Sequence, residues 1–191
     1  VRRARSTLGI RIPARPWNTT ANKDNIRHWC YGIGDMNPLY IDEHYGQGSV
    51  WGSIVAPSLF VSTFASDVLY PFDPKYEPKV KGANFPGTGE LQIKAEWEFD
   101  QVIKLDERVR AERALVNLQE VNTDFAGRAF QQLWETRYFY VAGGALVAVE
   151  RSQVLRYERQ AARERKKYAN LKKYKYTQQE LENIAESYFQ E

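Results

Sequence analysis

The sequence predicts an α+β fold in which an antiparallel sheet wraps a central apolar helix. Three observations predict it. In APSLFVSTFASDVLYP, Leu59, Phe60, Val61, Phe64, Ala65, Val68 and Leu69 cover most of a helix circumference, and a helix apolar nearly all round is a buried one. In ELQIKAEWEF, Leu91, Ile93, Ala95, Trp97 and Phe99 alternate with Gln92, Lys94, Glu96 and Glu98, the period of a half-buried strand. Helical patterns come first and a run of strands joined by short turns follows, the order of an α+β domain built on a meander.

Each element has its own justification. Residues 1–21 hold two prolines and several arginines without a clear period, and read as an arm with one short strand. In NKDNIRHWCYGIG, Ile26, Trp29, Cys30 and Ile33 fall at i, i+3, i+4 and i+7, one face of a helix that Gly32 and Gly34 stop. A loop runs to Val55. Pro57 suits the first turn of the central helix. Residues 71–89, rich in Pro, Gly, Lys and Asp, read as a long loop. After ELQIKAEWEF come strands in RVRAERALVNLQEV, with a phase change near Arg113 that predicts a bulge, in RAFQQLWETRYFYV and in LVAVERSQVLRY, with NTDFAG and AGGA as turns. Residues 1–157 form the domain; 158–191 form a charged, helical C-terminal extension. There Thr177 and Glu180 make a T-x-x-E capping box, and Leu181, Ile184, Ala185 and Tyr188 an apolar stripe that predicts docking on the domain or on a partner.

Composition narrows the function. The chain has 191 residues, 43% hydrophobic and 27% charged, with five Trp, twelve Tyr and nine Phe. That is one ordinary globular core with an aromatic surplus suited to a core, a pocket or an interface. A single cysteine, Cys30, allows no internal disulfide and fits a reducing, cytoplasmic setting. Two histidines, His28 and His44, leave no zinc spacing. No apolar run reaches membrane-spanning length, and the basic start is followed by no signal-peptide core. Net charge is +3, with nine Lys/Arg against two Glu between Arg156 and Lys175. That block reads first as a solvated helix face and second as an anion site. No nucleic-acid motif accompanies it.

The stretch between the two helices carries the chemistry. YGIGDMNPLY followed by GSIVAPSLF resembles the MaoC-like acyl-CoA hydratases and dehydratases, and most of all their FAS1-like dehydratase N-terminal domain. The family loop is roughly G-D-x-N-P-L-H or -Y; Gly34, Asp35, Asn37, Pro38 and Leu39 match in register, and the resemblance spans about residues 10–157. It implies the hot-dog fold, a helix wrapped by an antiparallel sheet. It also implies addition of water to a 2-enoyl thioester, or its removal, without metal or cofactor. Water needs a base, the α-carbon needs a proton, and the thioester oxygen needs donors. The family uses an Asp and a His five positions apart, with a backbone N–H at the start of the central helix facing the oxyanion.

Asp35 takes the place of the family Asp, and Ser58 that of the backbone donor. Tyr40 stands where active members carry His. An imidazole titrates near pH 6.5 and a phenol near 10, so Tyr40 donates a hydrogen bond but takes no proton from water at neutral pH. Asn37, Ile54, Val55, Ala56 and Phe60 are the implied substrate contacts. The leading reading is a substrate-binding half that shares an acyl-CoA or acyl-carrier thioester with a second hot-dog subunit, in a homo- or hetero-oligomer, the full Asp/His pair lying on the partner. The alternatives are a self-sufficient hydratase using Asp35, and a non-catalytic thioester-binding or assembly module, with thioesterase as a neighbouring chemistry. Asp35 and Asn37-Pro38 also have a purely architectural reading as turn residues, and His44 reads as a surface side chain.

Overall fold

The structure, a computed structural model, describes residues 1–14, 16–65, 83, 85, 87–165 and 175–189. Five strands form one antiparallel sheet: β1 (Ile12–Pro13), β2 (Gly89–Phe99), β3 (Val109–Thr123), β4 (Gly127–Tyr140) and β5 (Leu146–Tyr157), in the spatial order β1-β3-β4-β5-β2. The helices are α1 (Arg2–Arg5), α2 (Lys23–Ile33), α3 (Pro38–Ile41), α4 (Glu43–Gly48), a 3₁₀ helix (Ser58–Phe64), α5 (Arg159–Arg165) and α6 (Gln178–Phe189).

The meander holds for β3, β4 and β5, whose turns fall at residues 124–126 and 141–145. The first long strand departs from it. β2 pairs with β5, not with β3, because residues 100–108 form a crossing segment rather than a tight turn. Among the described residues β2 is therefore an edge strand, paired along one side only.

Three register shifts interrupt the strand pairing, one of them between Tyr138 and Phe139 where β4 meets β5, and two fall where the sequence alternation was read. The one in β3 falls between Leu115 and Asn117, just beyond the phase change predicted near Arg113. The other, between Gln92 and Lys94, was not legible. Ala95 lies opposite Ser152, but Leu91 lies opposite Leu155. Ser152 and Leu155 are three apart on one strand and face opposite ways, so Leu91 and Ala95 do too. The single apolar face expected of β2 is thus split. Trp97 is half-buried, while Leu91 and Ile93 remain 43% and 49% exposed.

The core sits between one face of the sheet and the helices. Ile26 and Cys30 from α2, Phe60, Val61 and Phe64 from the 3₁₀ helix, and Val109, Ala111, Tyr138 and Ala148 from the strands form one buried cluster. Phe60 stands edge-on between Trp29 and Phe64, at centroid distances of 5.9 and 5.6 Å, the favoured aromatic geometry. The described start of the predicted central helix is wound as 3₁₀, and its Leu59 is 50% exposed. Val68 and Leu69 lie outside the described residues, as do residues 71–82 of the loop predicted over 71–89.

On the opposite face of the sheet the N-terminal arm is tied down. The guanidinium of Arg11 reaches Glu135 on β4 at 2.5 Å, and Arg137 and Arg151 reach the same carboxylate at 2.9 and 3.3 Å. The arm also holds the short helix α1, which no period in the sequence announced. In the extension the capping box forms as expected. The Thr177 N–H donates to Glu180 Oε2 at 2.7 Å and the Glu180 N–H to Thr177 Oγ1 at 3.3 Å. Residues 166–174 of the basic block at 156–175 lie outside the described residues.

Candidate functional site

The loop that bears Asp35 is built by a helix ending. Gly34 closes α2 with φ 72°, in the left-handed region that glycine enters without cost. Gly32, expected to stop the helix as well, lies inside it. The turn delivers Asp35 half-buried, its N–H on the Cys30 carbonyl at 2.9 Å. Asp35 Oδ1 accepts the Asn37 N–H at 3.1 Å, and Asn37 Oδ1 accepts the Leu39 N–H at 3.0 Å. Asn37 is the N-cap of α3 and Pro38 its first residue, an arrangement favoured because proline has no N–H to leave unpaired. The architectural reading of this loop is therefore realised, and it leaves Asp35 Oδ2 without a protein donor among the described residues.

Tyr40 follows on α3, half-buried against the core cluster. Burial first, then the negative charge of Asp35, then Cys30, push its hydroxyl above the ordinary phenol range. The two groups share one electrostatic environment, and Tyr40 stays protonated at neutral pH. Burial and Asp35 likewise push the Cys30 thiol up. His28 and His44 are both exposed, so neither supplies an imidazole to this loop.

Residues 54–56 connect this loop to the 3₁₀ helix. The Val55 N–H donates to the Leu39 carbonyl at 3.3 Å. The Leu105 N–H donates to the Ile54 carbonyl at 3.0 Å, and the Ala56 N–H to the Ile103 carbonyl at 2.8 Å. Gly46 of α4 lies against this lead-in so closely that an added Cβ would stand 2.6 Å from Ile54 N. Ile54, Val55 and Ala56 are all buried. The chain then turns at Pro57, and Ser58 opens the 3₁₀ helix. As the first helical residue, Ser58 has an N–H with no intrahelical acceptor.

A cleft of about 410 Å³ opens there, within the range of small-ligand sites. Its apolar walls include Trp51, Ala56, Val61, Phe99 and Val147; Ser58, Asp100, Gln101, Lys104, Glu107 and Tyr140 are its polar lining. Of the residues named from the sequence, it gathers Ala56 and Ser58 only. Asp35, Asn37 and Tyr40 form their own group beside the core, Ile54 and Val55 support the backbone, and Phe60 is core, 1% exposed.

Sequence reasoning missed Lys104, Glu107 and Tyr140. Residues 100–107 have neither helical nor strand period, so nothing local marked them. The Lys104 N–H donates to Glu107 Oε2 at 2.9 Å, Lys104 Nζ donates to the Trp51 carbonyl at 2.8 Å, and the Tyr140 hydroxyl donates to the Val102 carbonyl at 2.5 Å. Burial, then the hydrogen bond and charge of Glu107, raise Tyr140 far above an ordinary phenol. Among the described residues no helix is long and apolar enough to cross a membrane.

Comparison with known proteins agrees with the fold. The chain superposes on the ChsH1-ChsH2 complex from Mycobacterium tuberculosis with a TM-score of 0.66 at 19% identity, covering 82% of this chain and 94% of that one. The HadBC (3R-hydroxyacyl-ACP dehydratase) complex from the same organism gives 0.57 at 14%, covering 78% and 96%. A MaoC-like dehydratase gives 0.61 at 17%, covering 91% of this chain and 51% of that one. Identities this low establish the shared hot-dog architecture. No curated protein matches the sequence. The description of the FAS1-like dehydratase domain region fits residues 6–149, and the chain belongs to that family.

Proposed function

We propose that this chain is the substrate-binding half of an enoyl-thioester hydratase or 3-hydroxyacyl-thioester dehydratase, and that a second hot-dog subunit supplies the complete Asp/His pair. The observation that carries the reading is Tyr40. It occupies the position of the family histidine, half-buried near Asp35 in surroundings that keep its proton on. A phenol held that way orients a ligand by donation but does not activate water. In this reading the Ser58 N–H contributes to holding the thioester oxygen, and the proton transfers belong to the partner.

The surface around the site supports an incomplete unit. Ile33 and Met36 flank the Asp35 loop and are 59% and 55% exposed; Val50 is 94% exposed, and Leu59 adjoins Ser58. Large apolar side chains grouped around a site mark an interface rather than a free surface. Among the described residues no strand pairs with the outer edge of β2, where Leu91 and Ile93 are exposed, and such an edge offers backbone groups to another strand. Two of the similar structures are complexes, and this chain spans about half of the MaoC-like dehydratase it resembles.

The test is hydration of a panel of short 2-enoyl-CoA esters, followed by loss of the conjugated-thioester absorbance. The chain is assayed alone and co-expressed with a hot-dog protein carrying G-D-x-N-P-x-H. Turnover only with the partner is the expected result. Turnover by the chain alone, abolished in Asp35→Asn, overturns the assignment in favour of a self-sufficient hydratase.

A further inference from the structure

The core-facing side of the sheet carries donors that the fold does not use. Strand pairing sets Arg113 of β3 opposite Thr136 of β4, and Thr136 opposite Glu150 of β5; two residues further along β4, Trp134 stands opposite Ser152. Alternation puts these side chains on the face of Tyr138, a member of the buried core. The Arg113 guanidinium lies over the Trp134 ring, with Cζ 4.6 Å from the centroid. Its Nε is buried without a hydrogen-bond partner, and the guanidinium forms no ion pair among the described residues. Thr136 and Ser152 are 3% and 6% exposed, and neither hydroxyl makes a hydrogen bond among the described residues.

The neighbouring charges are already engaged. Arg156, on the same face, donates from Nε to Gln132 Oε1 at 3.0 Å and pairs through Nη1 with Glu90 at 2.5 Å. Burial first, then the charge and hydrogen bond of Glu150, raise the Tyr138 hydroxyl far above an ordinary phenol, and Arg113 opposes them. Tyr138 therefore stays a donor and gives its proton to Glu150 Oε2 at 3.3 Å. Arg113 is left as a permanent cation whose plane is fixed by stacking and whose N–H edge has no acceptor. A planar fork of donors flanked by hydroxyls matches a planar carboxylate, which it binds through two parallel hydrogen bonds. Glu150, two strands and about 10 Å away across the sheet, opposes a doubly charged phosphate more than a singly charged carboxylate.

We propose that Arg113, with the hydroxyls of Thr136 and Ser152, forms a binding site for a carboxylate group on the core-facing side of the sheet. The site is separate from the Asp35 loop and from the Ser58 cleft: Thr136 lies four residues along β4 from the cleft residue Tyr140, roughly 13 Å of strand. The carboxylate belongs to a free small acid or to the far end of a dicarboxylic acyl group. The site itself does not depend on the thioester reading.

The Nε–Hε resonance of Arg113 in the ¹⁵N-labelled full chain, assigned through bonds from its own backbone, reads the site without any variant. Glutarate, glutaryl-CoA and pentanoyl-CoA are the probes. The resonance is expected to move saturably with glutarate or with glutaryl-CoA, and to stay in place with pentanoyl-CoA, which lacks the second carboxylate. Movement with glutarate assigns a free acid; movement with glutaryl-CoA alone assigns the acyl tail. In titration calorimetry Arg113→Gln is expected to weaken the acid that binds by roughly tenfold to a hundredfold, the loss of a charge-assisted hydrogen bond, and Thr136→Val by roughly twofold to tenfold, the loss of a neutral one. A resonance that neither acid moves, or that pentanoyl-CoA moves equally, overturns the proposal, as does wild-type affinity in Arg113→Gln.

Discussion

Replacing Glu135 with Gln removes the charge that fastens the N-terminal arm to the sheet. The carboxylate is nearly enclosed, its side chain 10% exposed, and it receives Arg11 at 2.5 Å, Arg137 at 2.9 Å and Arg151 at 3.3 Å. Arg151 continues to Glu98 on the edge strand at 2.6 Å, so one carboxylate links the arm, β4, β5 and β2. A hydrogen bond to a charged group contributes about 1.5–3 kcal/mol, and breaking a fully buried pair costs about 3–5 kcal/mol. The three arginines are 30–44% exposed, and solvent screening reduces both figures. A loss of about 2 kcal/mol follows, or about 4–8 °C in Tm for a chain of this size. Arg11 Nη1, already buried without a partner, makes relief by rearrangement harder.

The pH dependence gives the prediction a sign. Burial pushes the Glu135 carboxyl up, but the hydrogen bonds and charges of Arg11 and Arg137 outweigh it and hold the group below its ordinary value. A depressed folded pKa contributes stability above the unfolded pKa of about 4.3, and that contribution disappears as pH falls through the folded value. The gap in Tm between wild type and Glu135→Gln, followed by circular dichroism, is therefore expected to stay constant from pH 8 to 5 and to close below about pH 4. A gap under 1 °C at neutral pH, or one that widens in acid, refutes the assignment of this carboxylate as the clamp.

Three further outcomes are expected. Tyr40→His leaves the isolated chain without strong hydratase turnover, because the contacts that would orient an imidazole are not built around it; a large gain in the enoyl-CoA assay contradicts this. Gly46→Ala lowers thermal stability by about 1–3 kcal/mol, since its Cβ would meet Ile54 N at 2.6 Å and Ser53 C at 2.8 Å, and an unchanged melting curve shows that α4 is not seated as described. In a spectrophotometric titration, Tyr40→Phe removes ionisation only from the region above the ordinary phenol range of about pH 10, as burial and Asp35 require; loss of a component below pH 9.5 opposes that.

What could be read in the sequence was what depends on local periodicity or on one residue's special geometry. Helix α2 was legible from Ile26, Trp29 and Cys30, although Ile33 of the same stripe is 59% exposed. β5 was legible to the residue, at Leu146–Tyr157, because glycines bound it on one side and a charged helix on the other. α3 and α4 were hidden in a supposed loop, being only one or two turns long, too short for a 3.6 period to repeat. Their evidence lay in caps: Asn37 takes the Leu39 N–H and Asp42 the Tyr45 N–H. The placement of β2 beside β5 was beyond reach, since strand order is set by contacts distant in sequence and the alternation of β2 looks the same in either position. The cleft was hidden for the same reason. Trp51, Glu107 and Tyr140 meet only after the sheet has closed around the helix start.

The two carboxylates near the site have different surroundings. Asp35 spends one oxygen on the Asn37 N–H and faces a phenol that stays protonated, so its immediate partner is a donor and no general base stands beside it. Glu107 accepts the Lys104 N–H on one oxygen and faces Tyr140, whose hydroxyl lies within reach of both Glu107 and the Val102 carbonyl. A unit that had to activate water would need an acceptor of intermediate pKa next to the reacting carbon. A unit that had only to hold the thioester would need a helix-start N–H, an apolar slot and an anchored acceptor. Under the proposed binding role the Ser58 N–H and the Val61–Val147 walls would supply the first two of these within one cleft, and a second subunit would bring the base.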